Sequence, residues 1–227
     1  MYTLVLLSGG IGSRMHNNIP KQYMLLAGKP MIMHVLEKVD AIDKIVKIII
    51  VCAEEYQSSL NLMLDQYGIK KPVEYAPAGK TRQASVLSGL KMVRTSDVII
   101  HEAARPFVKI EDFDELINEP SENAMIGSDI PFTVVEGHDN IEGILDRSIL
   151  VNVQLPQKFN TSLIRDAHVK AESEGTFFTE DASLLFHYYP ETKIKIVKGK
   201  EYNIKMTTHI DMLTGEIIYD EIFRRRK

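Results

Sequence analysis

Ser8-Gly9-Gly10-Ile11-Gly12-Ser13-Arg14-Met15 follows the apolar run Leu4-Val5-Leu6-Leu7, and Lys21 stands seven residues beyond Arg14. These residue types suit a polyphosphate. Glycines let the main chain approach phosphate oxygens, and loop N–H groups can cradle the anions. Arg14 and Lys21 add charge that can follow the negative charge moving during phosphoryl chemistry. A strand feeding a three-glycine loop with two spaced cations reads as a pocket for a nucleoside triphosphate. Two rival motifs fit poorly. The dinucleotide fingerprint needs a glycine where Met15 stands and an acid about 20 residues on, and Asp40 lies too far away. The P-loop needs Lys and Ser or Thr directly after its last glycine. A plain strand-to-helix turn carrying a solvated Arg14 stays open on these residues alone.

The elements that would position this loop alternate along the chain. Apolar runs predict strands over 4–7, 45–51, 73–75 and 98–101. Helical spacing predicts helices over 30–39, 54–67, 81–93 and 111–117, the first with Met31, Val35, Leu36 and Val39 on one face. Such alternation implies a Rossmann-like α/β fold, a mostly parallel sheet covered by helices on both faces. Ligands then bind beyond the strand C-terminal ends, where the glycine loop, Gly79 and His101-Glu102-Ala103-Ala104-Arg105 all fall. The rhythm breaks at about 132–153, where short apolar pieces separated by Gly137-His138-Asp139-Asn140 have hairpin character and read as a lid or a dimerisation arm. Helices over 161–174, 181–188 and 208–223 and a strand over 193–197 complete the reading, with Thr207 or Thr208 capping the last helix.

A chain of 227 residues can bury one full core, so residues 1–227 are expected to form a single domain carrying that arm. The net charge of −4 argues against a nucleic-acid partner, and Arg224-Arg225-Arg226-Lys227 reads as a solvated tail. Cys52 is the only cysteine, which excludes an internal disulfide and a cysteine-based metal site. Without a basic leader or an apolar run near 18 residues, a cytoplasmic protein with no membrane partner is expected.

Taken together, the segments at the strand ends resemble one family, the cytidylyltransferases that act on phosphorylated polyols. The likeness runs from the glycine loop with Pro20-Lys21-Gln22-Tyr23 and Gly28-Lys29-Pro30 through Gly79-Lys80-Thr81-Arg82-Gln83-Ala84-Ser85-Val86 and His101-Glu102-Ala103-Ala104-Arg105-Pro106-Phe107. It continues through Asp146-Arg147, Gln154-Leu155-Pro156-Gln157 and Thr179-Glu180-Asp181-Ala182-Ser183 to Asn203-Ile204-Lys205-Met206-Thr207. It implies a nucleotidyltransferase-type sheet and a reaction in which CTP and a polyol phosphate give a CDP-polyol and pyrophosphate. The attacking phosphate oxygen is already anionic, so no general base is needed. Catalysis then rests on positioning and cations. By resemblance, Arg14, Lys21 and Lys205 are catalytic: the first two hold the triphosphate, and Lys205 polarises the α-phosphate. Leu7, Ser8, Gly9, Gly10, Gly12, Gly79, Lys80, Arg82 and Ser85 would bind the nucleotide, with Ser85 serving either the helix interior or the cytosine. Arg105 and Arg147 would bind the acceptor. Glu102 would hold Mg2+ or else pair with Arg105. His101 reads as a strand-end residue with a satisfied hydrogen bond. The residue matching Arg147 reaches the neighbouring subunit's site in the family, which implies a homodimer through the arm.

Departures fall mainly on the acceptor side. The family's Asp is Glu102 here, its Asp-Thr pair in the arm is Val134-Val135, and a Lys of the methylerythritol branch is Gly137. Its Thr-Pro-Gln is Leu155-Pro156-Gln157, and its Thr-Asp is Thr179-Glu180. Loss of hydroxyls and a cation from an anion pocket weakens binding of the standard acceptor. The reading therefore leans to a ribitol 5-phosphate-like acceptor in surface-polysaccharide assembly, with methylerythritol 4-phosphate in isoprenoid synthesis as the alternative. A non-catalytic nucleotide-binding module is the reading from another class, and the retention of Arg14, Lys21 and Lys205 argues against it. An oxidoreductase is disfavoured by Met15.

Overall fold

A computed structural model describes residues 1–10 and 20–224 of the chain. Strand β1 (Tyr2–Leu7) is followed by a small ribbon of β2 (Leu25–Leu26) and β3 (Lys29–Pro30), then by α1 (Met31–Asp40), β4 (Ile45–Cys52), α2 (Gln57–Gln66), β5 (Val73–Pro77), α3 (Arg82–Met92), β6 (Asp97–Glu102) and α4 (Ile110–Asn118). The second half runs β7 (Asn123–Asp129), β8 (Val134–Glu136), β9 (Gly143–Leu145), β10 (Val151–Asn160), α5 (Thr161–Glu174), α6 (Asp181–Tyr188), β11 (Ile194–Lys198) and α7 (His209–Tyr219). Thr208 caps α7, its side chain accepting from the Asp211 N–H. The predicted final helix is shorter than read, its last part being a π turn over Asp220–Arg224.

Among the described residues the main sheet has seven strands in the order β11-β7-β10-β6-β1-β4-β5. Its centre is parallel, and β10 runs antiparallel to both β6 and β7. The central strands read as unbroken apolar runs because both faces are buried. Leu4 and Leu6 of β1, with Ile48 and Ile50 of β4, pack under α1, α2 and α4. Val5, Ile49 and Val51 point the other way, under α3, α5 and α6. Cys52 is buried at the end of β4, as core packing. A small third cluster, built on Leu26, Met31, Phe107 and Met206, seats α7 beside the ribbon.

Two strands of the main sheet escaped the sequence reading, as did the short ribbon of β2 and β3. The prediction ends a hairpin at 153 and starts a helix at 161, whereas β10 fills that interval and β7 precedes the hairpin. Gln154, Gln157 and Lys158 are buried polar residues of β10, so the strand shows no apolar run, and Pro156 interrupts it where the register with β7 shifts. Within the predicted arm, β8 and β9 do form an antiparallel hairpin.

Candidate active site

Strand order locates the site. β4 and β5 extend the sheet to one side of β1, and β6 then returns to the other side, so β1 and β6 flank a topological switch point. Such a point opens a crevice at the strand C-terminal ends. There Leu7 stands in register with Glu102. A cavity of about 530 Å3, within the range of small-ligand pockets, opens over this pair. Its walls come from four predicted segments, represented by Leu7 to Gly10, Gly79 to Arg82 with Ser85, Glu102, and Lys205. Lys21 also faces it. Gly12 and Arg14 lie outside the described residues.

The glycine loop is held by packing and by an amide. A Cβ on Gly9 would lie 2.6 Å from the Cβ of Ala78, so the loops after β1 and β5 touch only because Gly9 has no side chain. Gln22 donates its Nε2 to the carbonyls of Ser8 at 2.6 Å and Gly10 at 3.1 Å. This residue belongs to the resembling segment but was not assigned a role, because an amide in sequence carries no mark of what it ties. On the facing wall Thr81 caps α3, accepting from the Ala84 N–H, and aims the positive end of the helix at the cavity. Ser85 Oγ accepts from Gly79 N–H at 3.0 Å and donates to the Thr81 carbonyl at 2.9 Å. The hydroxyl thus shapes the loop from within the helix while lining the cavity.

Glu102 anchors the electrostatics. Arg82 Nε donates to its Oε1 at 2.8 Å, and the Lys205 ammonium lies 2.6 Å from its Oε2. Burial alone would raise the carboxyl, but the Arg82 and Lys205 cations outweigh it and bring its pKa to about 2. Its partners are therefore Arg82 and Lys205, not Arg105. Arg82 lines the cavity as expected, yet its guanidinium is shared between two carboxylates, since Nη2 donates to Asp181 at 2.6 Å. Among the described residues no group of three or more His, Cys, Asp or Glu side chains is placed to hold a metal ion. Both oxygens of Glu102 are already taken, Oε1 by Arg82 and Oε2 by Lys205, so a magnesium ion at this carboxylate would have to displace one of the two cations.

A second cavity, of about 380 Å3, adjoins the first and shares Arg82, Glu102 and Lys205 with it. Arg105 and Gln157 line it, with Ile130, Val151, Val153 and Leu155 as an apolar wall. Arg105 Nη1 donates to the Asn203 carbonyl at 2.9 Å. His101 is buried and donates Nε2–H to the Arg105 carbonyl at 3.2 Å, the satisfied strand-end role expected of it. Arg147 is exposed on the arm, bonded to the Pro131 carbonyl at 2.7 Å, and lines neither cavity of its own chain.

The family model for IspD, 2-C-methyl-D-erythritol 4-phosphate cytidylyltransferase, matches residues 2–221. The chain is 34% identical over 223 residues to the 2-C-methyl-D-erythritol 4-phosphate cytidylyltransferase of Bacillus licheniformis, covering 96% of each. It is 32% identical to the chloroplastic enzyme of that name from Oryza sativa, with 96% of this chain matched to 74% of the plant protein. The solved 4-diphosphocytidyl-2C-methyl-D-erythritol synthase of Anaerococcus prevotii superimposes with a TM-score of 0.84 at 26% identity, over 95% of this chain and 94% of that one. With a cavity at the switch point and this likeness along nearly its whole length, the chain belongs to the 2-C-methyl-D-erythritol 4-phosphate cytidylyltransferase family and is a CTP-dependent nucleotidyltransferase.

Proposed function

We propose that this protein transfers the cytidylyl group of CTP to 2-C-methyl-D-erythritol 4-phosphate and releases pyrophosphate. The observation that carries this reading is the junction of the two cavities at Glu102 and Lys205. The triphosphate takes the larger cavity, and the acceptor takes the smaller one. An acceptor phosphate oxygen attacks the α-phosphorus, and the bond to the pyrophosphate oxygen breaks. Lys205, at the junction, balances charge on the α-phosphate. Lys21, at the glycine loop, balances charge on the departing pyrophosphate. Arg105 faces the acceptor. No proton has to leave the nucleophile, which accords with the burial of His101 away from both cavities. Mg2+ would draw its ligands chiefly from phosphate and water and supply further charge neutralisation, with Glu102 reaching it only in place of one of its cations.

The acceptor assignment departs from the ribitol-phosphate reading of the sequence. The names of the relatives support methylerythritol phosphate, and so does the apolar wall of Ile130, Val151, Val153 and Leu155. The methyl group of a branched polyol finds that wall, and its hydroxyls find Asn152, Gln154, Gln157 and Thr179 in the same cavity. The arm exposes Phe132, Ile141, Ile144 and Ile149, which supports a homodimer in which Arg147 serves the partner's acceptor site. Pyrophosphate release with CTP and Mg2+ is the test, with methylerythritol 4-phosphate and ribitol 5-phosphate compared as acceptors. Turnover on the methylerythritol acceptor is the expected result. Turnover only on ribitol 5-phosphate would overturn the acceptor assignment, and binding of CTP without any turnover would point to a nucleotide-binding module.

A further inference from the structure

Beneath the cavities an alternating line of charges runs into the protein. The Lys205 ammonium meets Glu102, Glu102 meets the Nε of Arg82, and Nη2 of Arg82 meets Asp181. His168 closes the line, donating Nε2–H to Asp181 Oδ1 at 3.2 Å. Both His168 and Asp181 are buried, and Asp181 lines neither cavity. The members come from separate parts of the chain: Asp181 opens α6, Arg82 opens α3, Glu102 ends β6, and Lys205 follows β11.

We infer that Asp181 is a positioning residue for Lys205. It grips one end of the Arg82 fork, so that only the other end reaches Glu102. Glu102 Oε2 is thereby left to hold the ammonium at the junction of the cavities. Without Asp181 the guanidinium is free to turn both donors onto Glu102, a bidentate pairing that carboxylates favour, and Lys205 loses its seat. The inference rests on the proposed role of Lys205 in turnover.

The test is a double-mutant cycle on the full chain, with the rate of pyrophosphate release from CTP and methylerythritol 4-phosphate at saturating Mg2+ and CTP affinity by calorimetry. Asp181→Asn is expected to slow turnover roughly tenfold or more, with CTP affinity changed by less than about threefold. In a Lys205→Ala background the same change is expected to cost less than about twofold, because the group it positions is gone. An equal slowing in both backgrounds, or none in either, would overturn the inference and leave Asp181 a packing residue. Should Asp181→Asn fail to fold, Arg82→Lys takes its place in the cycle, since an ammonium keeps the charge but cannot bridge two carboxylates with a planar fork. An inactive wild type, or a Lys205→Ala variant as fast as wild type, would remove the reading of the site itself, and the inference with it.

Discussion

Lys21 sits directly before Gln22, whose amide is tied to the carbonyls of Ser8 and Gly10, so its backbone is anchored to the loop that would hold the triphosphate. The side chain faces the cavity while the neighbouring amide does the structural work. Lys21→Ala is therefore expected to lower turnover roughly 100-fold, the scale of losing one donor to a developing oxyanion, with the protein still folded. A steady-state assay beside a thermal melt checks both halves. At this scale the sequence was legible where a residue stands inside a matching motif. Lys21, Lys205 and Glu102 meet at the cavity as their motifs implied. Arg82 was harder, because a cation in sequence does not name its anion, and here two carboxylates claim it. Gln22 and Asp181 were missed for the same reason: their importance lies in partners 14 and 99 residues away.

At the scale of elements, α3 shapes one wall of the larger cavity. Its Thr81 cap satisfies the Ala84 N–H, and its Ser85 holds Gly79, where a Cβ would lie 2.6 Å from Ala84 Cβ and 2.9 Å from Ser85 N. Thr81→Ala is expected to cost about 1 kcal/mol, or roughly 2–4 °C in melting midpoint for a chain of this size. CTP is expected to restore part of that loss, since a ligand bound only by the folded state adds to its stability. Melts with and without CTP read both effects. Helices such as α1, α3 and α5 were legible because their apolar positions recur at helical spacing or their caps are explicit. β10 was not, because Gln154, Gln157 and Lys158 are buried along it. Strand patterns assume that burial means apolar, and here Gln154 and Gln157 line the smaller cavity while Lys158 donates to the Glu119 carbonyl.

For the whole molecule, the response to acid follows from two imidazoles sealed on the same side of the sheet as α1 and α4. Burial lowers His34 to about 4 and His101 to about 3. Each donates to a carbonyl, that of Leu26 or Arg105, and is neutral in the fold. The unfolded chain binds protons at these groups near 6.5, so it holds more protons than the fold between that pH and the depressed values. The contribution of these two groups is therefore full above about pH 6.5 and falls as the pH drops toward 4, by up to about 2.7 kcal/mol per pH unit for the pair. Urea midpoints measured from pH 7 to 5 are expected to decline steadily, and His34→Gln to flatten the decline.

The arm leaves the body between β7, which ends at Asp129, and β10, which begins at Val151. Ile130, Val151 and Val153, the residues at its root, are also wall residues of the smaller cavity. The protrusion is therefore placed as a lever whose fulcrum is the smaller cavity. A grip on its far end would pull on two adjacent strands at the place proposed for the second substrate, so that the shape of this cavity would respond to forces applied outside it.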